Sequence, residues 1–157
     1  MTDNCKRVHF IGVGGVGMSG IARVAADAGM RVSGSDMKSS RYTDDLVAAG
    51  IPIFIGHDAK HVTDDIDAVV ISTAIPETNP ELARARELGI AVWHRAHMLA
   101  ELGRGKKTRA ACGTHGKTTT SSMLATATDA LGLEPTFVVG GIVDAYHTNA
   151  VSGKGEY

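Results

Sequence analysis

Val8-His9-Phe10-Ile11-Gly12-Val13-Gly14-Gly15-Val16-Gly17 is a short apolar run that passes directly into a glycine loop, and its reading decides the fold. Glycines at 12, 14 and 17 have a mechanical meaning. The first permits a tight turn, the second lets backbone approach a diphosphate, and the third allows a helix to pack closely on the preceding strand. Beyond the loop, Val16, Ile21, Val24, Ala25 and Ala28 fall on one face of a helix that Gly29 ends. Strand, glycine loop and helix in this order form the opening of a Rossmann-like unit, with a diphosphate at the helix N-terminus where free N–H groups and the helix dipole favour negative charge.

The pattern continues outward. Arg31 to Ser35 reads as a second strand, Asp44 to Ala49 as a short helix, Ile53 to Ile55 as a third strand and Ala68 to Ser72 as a fourth. The fourth is continuously apolar, as expected of a strand covered on both faces. Asn79 and Pro80 give the N-cap and first position of a helix running to Leu88, Ile90 to Trp93 make a fifth strand, and Ala96 to Leu102 a further helix. Strands alternating with helices through short connections predict an α/β, doubly wound, mainly parallel sheet.

A change of composition follows. Gly103-Arg104-Gly105-Lys106-Lys107 is basic and glycine-rich and reads as an exposed linker. Past it, Thr108 to Cys112 reads as a strand leading into a second glycine loop, Gly113-Thr114-His115-Gly116-Lys117-Thr118-Thr119-Thr120, then a helix to about Leu131 and a strand at Thr136 to Val139. The expected division is therefore a Rossmann-like unit at 1–102, a linker at 103–107, and the incomplete start of a P-loop ATP-binding unit at 108–157. An ATP-binding unit ordinarily needs further strands and an acidic metal-orienting residue, so the sequence reads as part of a longer enzyme. The apolar strands at 108–112 and 136–139 lack sheet neighbours, which leaves strand exchange into a homodimer or partial disorder as the ways out.

The two loops differ in chemistry. In the second, successive backbone N–H groups from Gly113, Thr114, His115 and Gly116 can cradle phosphate, Lys117 reaches the terminal phosphates, and the Thr118 hydroxyl suits Mg2+. Where the general P-loop pattern wants its first glycine, this chain has Ala111. His115 has no carboxylate or nucleophile at a fixed local spacing and is read as shaping the cradle. In the first unit, Asp36 closes the second strand, where a carboxylate commonly accepts hydrogen bonds from a ribose. His57 and the segment Ser72-Thr73-Ala74-Ile75-Pro76 follow strand ends, where ligands of open α/β sheets bind. For each of these a plain alternative stands beside the functional one: a solvated loop histidine, and turn capping before Pro76. The residues alone leave NAD and a nucleotide sugar both open, since each carries a ribose and a diphosphate.

Composition bounds the rest. With 157 residues, 43% of them hydrophobic, and 19 glycines against 4 prolines, the chain has material for a core and for βα turns. A formal charge of -1 gives no global attraction for nucleic acid or anionic lipid, so any phosphate binding is local. Cys5 and Cys112 make neither a disulfide framework nor a metal cluster, and a reduced cytoplasm fits. Met1 to Arg7 are polar without a signal-peptide core, and no apolar run approaches the roughly 20 residues that span a bilayer. Met18, Met30, Met37, Met98 and Met123 are read as core or turn residues, and Asp64, Asp65 and Asp67 as a solvated turn.

The second loop, Gly113 to Thr120, resembles the ATP loop of the Mur ligases of bacterial peptidoglycan synthesis, which also dispenses with the first glycine. Phe10 to Gly20, Gly34-Ser35-Asp36, Ser72 to Ile75, Arg95 with Met98-Leu99, and Val139-Gly140-Gly141 are similar to the branch that adds L-alanine to UDP-N-acetylmuramate. His97 departs from that pattern, where an acidic residue is expected. The resemblance implies a three-domain, ATP- and Mg2+-dependent ligase of the cytoplasm, active in cell-wall synthesis and hence in cell shape and division. It implies that the substrate's lactyl carboxylate is activated as an acyl phosphate and then attacked by the amine of alanine. On this resemblance Gly12, Gly14, Gly15, Val16, Gly17, Ser35, Asp36, His57, Ser72 and Thr73 hold the UDP sugar. Gly113, Thr114, His115, Gly116, Lys117, Thr118 and Thr119 hold ATP, with Lys117 and Thr118 acting in catalysis and Thr118 on Mg2+. The chain alone is expected to bind the UDP part without catalysing. Two alternatives are a ligase that attaches tripeptide to the same UDP sugar during muropeptide recycling, and an NAD-dependent dehydrogenase, which leaves Lys117 unexplained.

Overall fold

The computed structural model describes residues 5–157; the polar residues 1–4 of the N-terminal stretch lie outside the described residues. Five strands, β1 (Arg7–Ile11), β2 (Arg31–Asp36), β3 (Ile53–Ile55), β4 (Ala68–Ile71) and β5 (Ala91–His94), form one parallel sheet in the order β3-β2-β1-β4-β5. β1 is central, with Val8 beside Val32 on one flank and Ala68 on the other. The strand order reverses there, which opens a crevice at the C-terminal ends of β1 and β4.

The period-two alternation of β1 separates two cores. Val8 and Phe10 point into a cluster with Val13, Met18, Ile21, Ala22, Ala25, Val70 and Met98, beneath helices α1 (Val16–Asp27) and α4 (Arg95–Leu102). Ile11 points the other way, with Val69, Ile71, Leu82 and Ala85, beneath α3 (Pro80–Glu87). α2 (Arg41–Ala48) begins three residues before the expected Asp44, because Ser40 and Thr43 form a reciprocal capping box. The α3 start is as read: Asn79 Oδ1 accepts from the backbone of Glu81 and Leu82 at 2.9 and 3.1 Å, with Pro80 in first position.

Beyond Leu102 the structure differs from expectation in three places. Thr108 to Cys112 is not a strand. An apolar run becomes a strand only against a neighbour, and no other strand lies alongside this one among the described residues. The strand read at Thr136 to Val139 is instead β6 (Phe137–Val143), and it does have a partner: β7 (Thr148–Val151) returns antiparallel to it within the same chain. The segment at 103–107 is tied down, with the Lys107 N–H donating to the Glu156 carbonyl at 2.7 Å and Lys106 Nζ to the Gly155 carbonyl at 2.7 Å.

The β6–β7 hairpin lies between two helices. Phe137, Val139 and Val143 pack with Ala125 of α5 (Lys117–Ala130), while Val138 joins the core under α1. Gly20 of α1 makes this approach possible: a Cβ there would stand 2.7 Å from Asn149 Nδ2 and 3.1 Å from the Ala150 Cβ. Of the methionines, Met18 and Met98 are core residues, whereas Met123 is exposed on α5 and Met37 is exposed beside the glycine loop. Asp67 is more than a solvated turn, since its Oδ2 accepts from the N–H groups of Lys6 and Arg7 at the start of β1.

Candidate functional site

Gly12 takes φ +75°, a left-handed conformation that favours glycine, and a Cβ on it would lie 2.9 Å from the Ile75 side chain. The turn is held by the Ser35 carbonyl, which accepts from Gly12 and Val13 at 2.8 and 3.0 Å. The Gly14 N–H donates to Asp36 Oδ2 at 2.8 Å, close enough that any side chain at 14 would collide with that carboxylate. Asp36, read as a ribose ligand, therefore also braces the loop, with its Oδ1 accepting from the Lys38 N–H at 3.2 Å.

Gly15 is the N-cap of α1 and offers no side chain, so the N–H groups of Val16, Gly17 and Met18 keep their donors turned outward. Above them lies Arg95, the first residue of α4 at the end of β5, whose Nη1 would stand 2.8 Å from a Cβ on Gly17. A helix N-terminus and a guanidinium thus converge on one point, which is a chemistry for anions. They wall a cleft of about 390 Å3 completed by Gly12, Asp36, Met37, His57, Ser72 and Ile75. A larger groove of about 610 Å3, between Lys60, Thr63, Arg84 and Glu87, has mixed charge and no glycine loop.

The structure thus gathers Gly12, Gly15, Val16, Gly17, Asp36, His57 and Ser72 around one cleft. Ser72 also makes the capping turn, its Oγ accepting from the Ala74 N–H at 3.3 Å. Gly14 sits behind the wall on Asp36, Thr73 is exposed and outside the lining, and Ser35 is fully buried beneath the floor. Arg95 is the residue that reading by position missed as a site residue; a cation at the C-terminal end of β5, the neighbour of β4, was the available signal.

Under the floor lies a polar cluster that periodicity did not reveal. Glu81 is fully buried, accepts from Ser35 Oγ at 2.5 Å, and faces His57 Nδ1 at 3.1 Å and His61 Nδ1 at 2.6 Å. His9 Nε2 stands 3.8 Å from Oε2, beyond hydrogen-bond reach, which leaves this nitrogen without a hydrogen-bond partner. Burial alone would raise the Glu81 carboxyl; His9, Ser35 and His61 outweigh it and hold the group down at about 2. His57 is thus a member of a buttressed cluster, not a solvated loop residue.

In the second loop Gly116 takes φ +78° and caps α5 without a side chain, again leaving the helix N-terminus open. Lys117 Nζ folds back on its own loop and donates to the Gly113 and Thr114 carbonyls at 2.6 and 3.2 Å. Thr118 faces the hairpin, its Oγ1 3.8 Å from where a Cβ on Gly140 would be. No group of three or more His, Cys, Asp or Glu side chains among the described residues is arranged to hold a metal ion, and no helix there is long and apolar enough to cross a membrane.

A five-stranded parallel sheet with a glycine loop at its reversal point defines a Rossmann-like α/β unit. Residues 7–107 match the model of the Mur ligase family, catalytic domain, and the chain belongs to that family. It is 53% identical over 150 residues to the UDP-N-acetylmuramate–L-alanine ligase of Streptomyces avermitilis, covering 96% of this chain and 32% of that protein. Among solved structures it is similar to the UDP-N-acetylmuramate-alanine ligase of Thermotoga maritima, with a TM-score of 0.88 and 38% identity over 96% of this chain and 35% of that one. It is also similar to the UDP-N-acetylmuramate:L-alanyl-gamma-D-glutamyl-meso-diaminopimelate ligase of Neisseria meningitides, with a TM-score of 0.85 and 34% identity over 92% and 46% of the two chains. The chain spans about a third of the length of the curated relatives it matches.

Proposed function

We infer that this chain is the UDP-sugar-binding part of an ATP-dependent ligase that joins L-alanine to UDP-N-acetylmuramate in the cytoplasm. The observation that carries the reading is the convergence of the α1 N-terminus and Arg95 on one cleft at the sheet's reversal point. The diphosphate rests on the N–H groups of Val16, Gly17 and Met18 with Arg95 above it, and Gly12, Gly14 and Gly15 let the backbone approach. Asp36 and Ser72 face the ribose side, with Ser35 and Thr73 behind them, and His57 closes the cleft from below.

The division into a substrate unit at 1–102, a connector at 103–107 and the start of an ATP unit at 108–157 belongs to the same proposal. The second loop fits a nucleoside triphosphate: its helix N-terminus is open, and Lys117 is held only by loop carbonyls that it can exchange for phosphate oxygens. Bound there, ATP with Mg2+ supplies the phosphoryl group that turns a carboxylate, a poor electrophile, into an acyl phosphate open to the alanine amine. Gly113, Thr114, His115, Gly116 and Thr119 form the cradle, Lys117 stabilises charge on the terminal phosphates, and Thr118 offers its hydroxyl to the metal. An NAD-dependent dehydrogenase leaves this second loop without a role.

Calorimetric titration of the chain with UDP-N-acetylmuramate, and with NAD in parallel, tests the reading. Saturable binding of the UDP sugar that Gly14→Val abolishes is expected. Binding of NAD with no response to the UDP sugar overturns it.

A further inference from the structure

The binding reading gives the fully buried Glu81 no task, yet its carboxylate is in contact with Ser35 beneath the cleft floor and with His57 in the cleft lining. We propose that Glu81 is a positioning residue which, through His57, ties the binding of an anion in the cleft to the uptake of a proton. The inference rests on the reading of the cleft as a diphosphate site.

The argument is one of hydrogen inventory. Ser35 Oγ has a single proton, and its 2.5 Å contact commits that proton to Glu81 Oε2. His57 Nδ1 then faces two acceptors, Ser35 Oγ and Glu81 Oε2, each at 3.1 Å, so Nδ1 carries the hydrogen. In its neutral form a ring held in that tautomer has its lone pair on Nε2, and His57 is the histidine of the cluster that also lines the cleft. A phosphate oxygen brings only lone pairs. Contact between the two is repulsive until Nε2 takes a proton, and the buried Glu81 carboxylate stabilises the imidazolium so formed, as a buried carboxylate does behind a catalytic histidine.

The surroundings set when the proton arrives. From α1 and α4 the helix N-terminus and Arg95 present positive potential and oppose a further cation in the empty cleft. From β2, Asp36 faces the same space with its oxygens engaged by Gly14 and Lys38. His9 on β1 and His61 near β3 share the Glu81 carboxylate from the core side, His61 stacked at 4.2 Å on Phe54. An incoming diphosphate reverses the local potential, and His57 is the group positioned to answer it.

The test is calorimetric titration with UDP-N-acetylmuramate in buffers of different ionisation enthalpy. The diphosphate diester has no group of its own titrating near neutrality, so protons counted belong to the protein. Measured across a series of pH values, the wild-type chain is expected to take up as much as one proton per ligand where the ring is neutral in the empty cleft, with affinity falling by up to about tenfold per pH unit on the alkaline side. His57→Gln, which presents a neutral amide, is expected to abolish the uptake, and Glu81→Gln to do the same while circular dichroism shows a folded chain. His61→Gln keeps it. Binding by the wild type without proton uptake overturns the inference alone, as does full uptake in His57→Gln. Absence of any binding overturns the cleft reading and this inference together.

Discussion

The Asn149 carboxamide donates to the backbone carbonyl of Val16, joining β7 to the first residue of α1 from 133 positions away in the chain. That contact sits where Gly20 lets the hairpin touch α1, while the hairpin's other side meets α5 and Thr118. One element therefore touches the helices that follow both glycine loops.

Gly20→Ala should accordingly destabilise the chain by about 1–3 kcal/mol, because the methyl group meets Asn149, Ala150 and Val138 together. Urea unfolding measures the loss. Hydrogen exchange should show β6 and β7 amides losing protection before those of β1 and β4, and uniform loss across the chain would contradict this account of the hairpin.

Arg95 is exposed and opens its helix without a side-chain cap, so Arg95→Ala should leave thermal stability nearly unchanged. Loss of a charge-assisted contact to a diphosphate should weaken UDP-sugar binding about 10–100-fold. Unchanged affinity would remove Arg95 from the site.

Glu81 gives the acid limb of stability a definite sign. Its carboxyl is held near 2 in the fold against an ordinary 4.5, so the fold gains from the ionised group above pH 4.5 and loses that gain as pH falls toward 2. A shift of this size corresponds to a contribution on the order of a few kcal/mol at neutral pH. In urea titrations at stepped pH, Glu81→Gln should start lower and fall less steeply across that window; a parallel curve would show that the carboxylate does not carry the effect.

Lys117→Ala removes only contacts to exposed loop carbonyls and should shift folding stability by less than about 0.5 kcal/mol. On the proposed function, the same change in a full-length ligase carrying this chain should abolish turnover while leaving UDP-sugar affinity intact. Loss of both would mean that Lys117 shapes the fold and not the ATP site.

What could be read from the sequence was what local rules encode. The β1-loop-α1 unit follows from glycine spacing, and α3 from its Asn79-Pro80 start, because turns and caps are fixed by neighbours in the chain. β7 was hidden, since Thr148-Asn149-Ala150-Val151 has little strand character of its own and is made by pairing with β6. Thr108 to Cys112 erred in the opposite direction for the same reason. Glu81, an acid in a helix first turn, carries no local mark of its burial; the available signal is His9, a histidine in the middle of a buried strand, which needs a polar partner from elsewhere.

The central claim is that a UDP sugar binds with its diphosphate on the α1 N-terminus beneath Arg95. Nitrogen-labelled chain titrated with UDP-N-acetylmuramate tests it residue by residue in amide NMR spectra. The account predicts saturable shifts concentrated at Gly15, Val16, Gly17 and Met18, with the amides of Gly113 to Lys117 little moved. Saturable shifts confined to the second loop, or a first loop that answers NAD and ignores the UDP sugar, would contradict it.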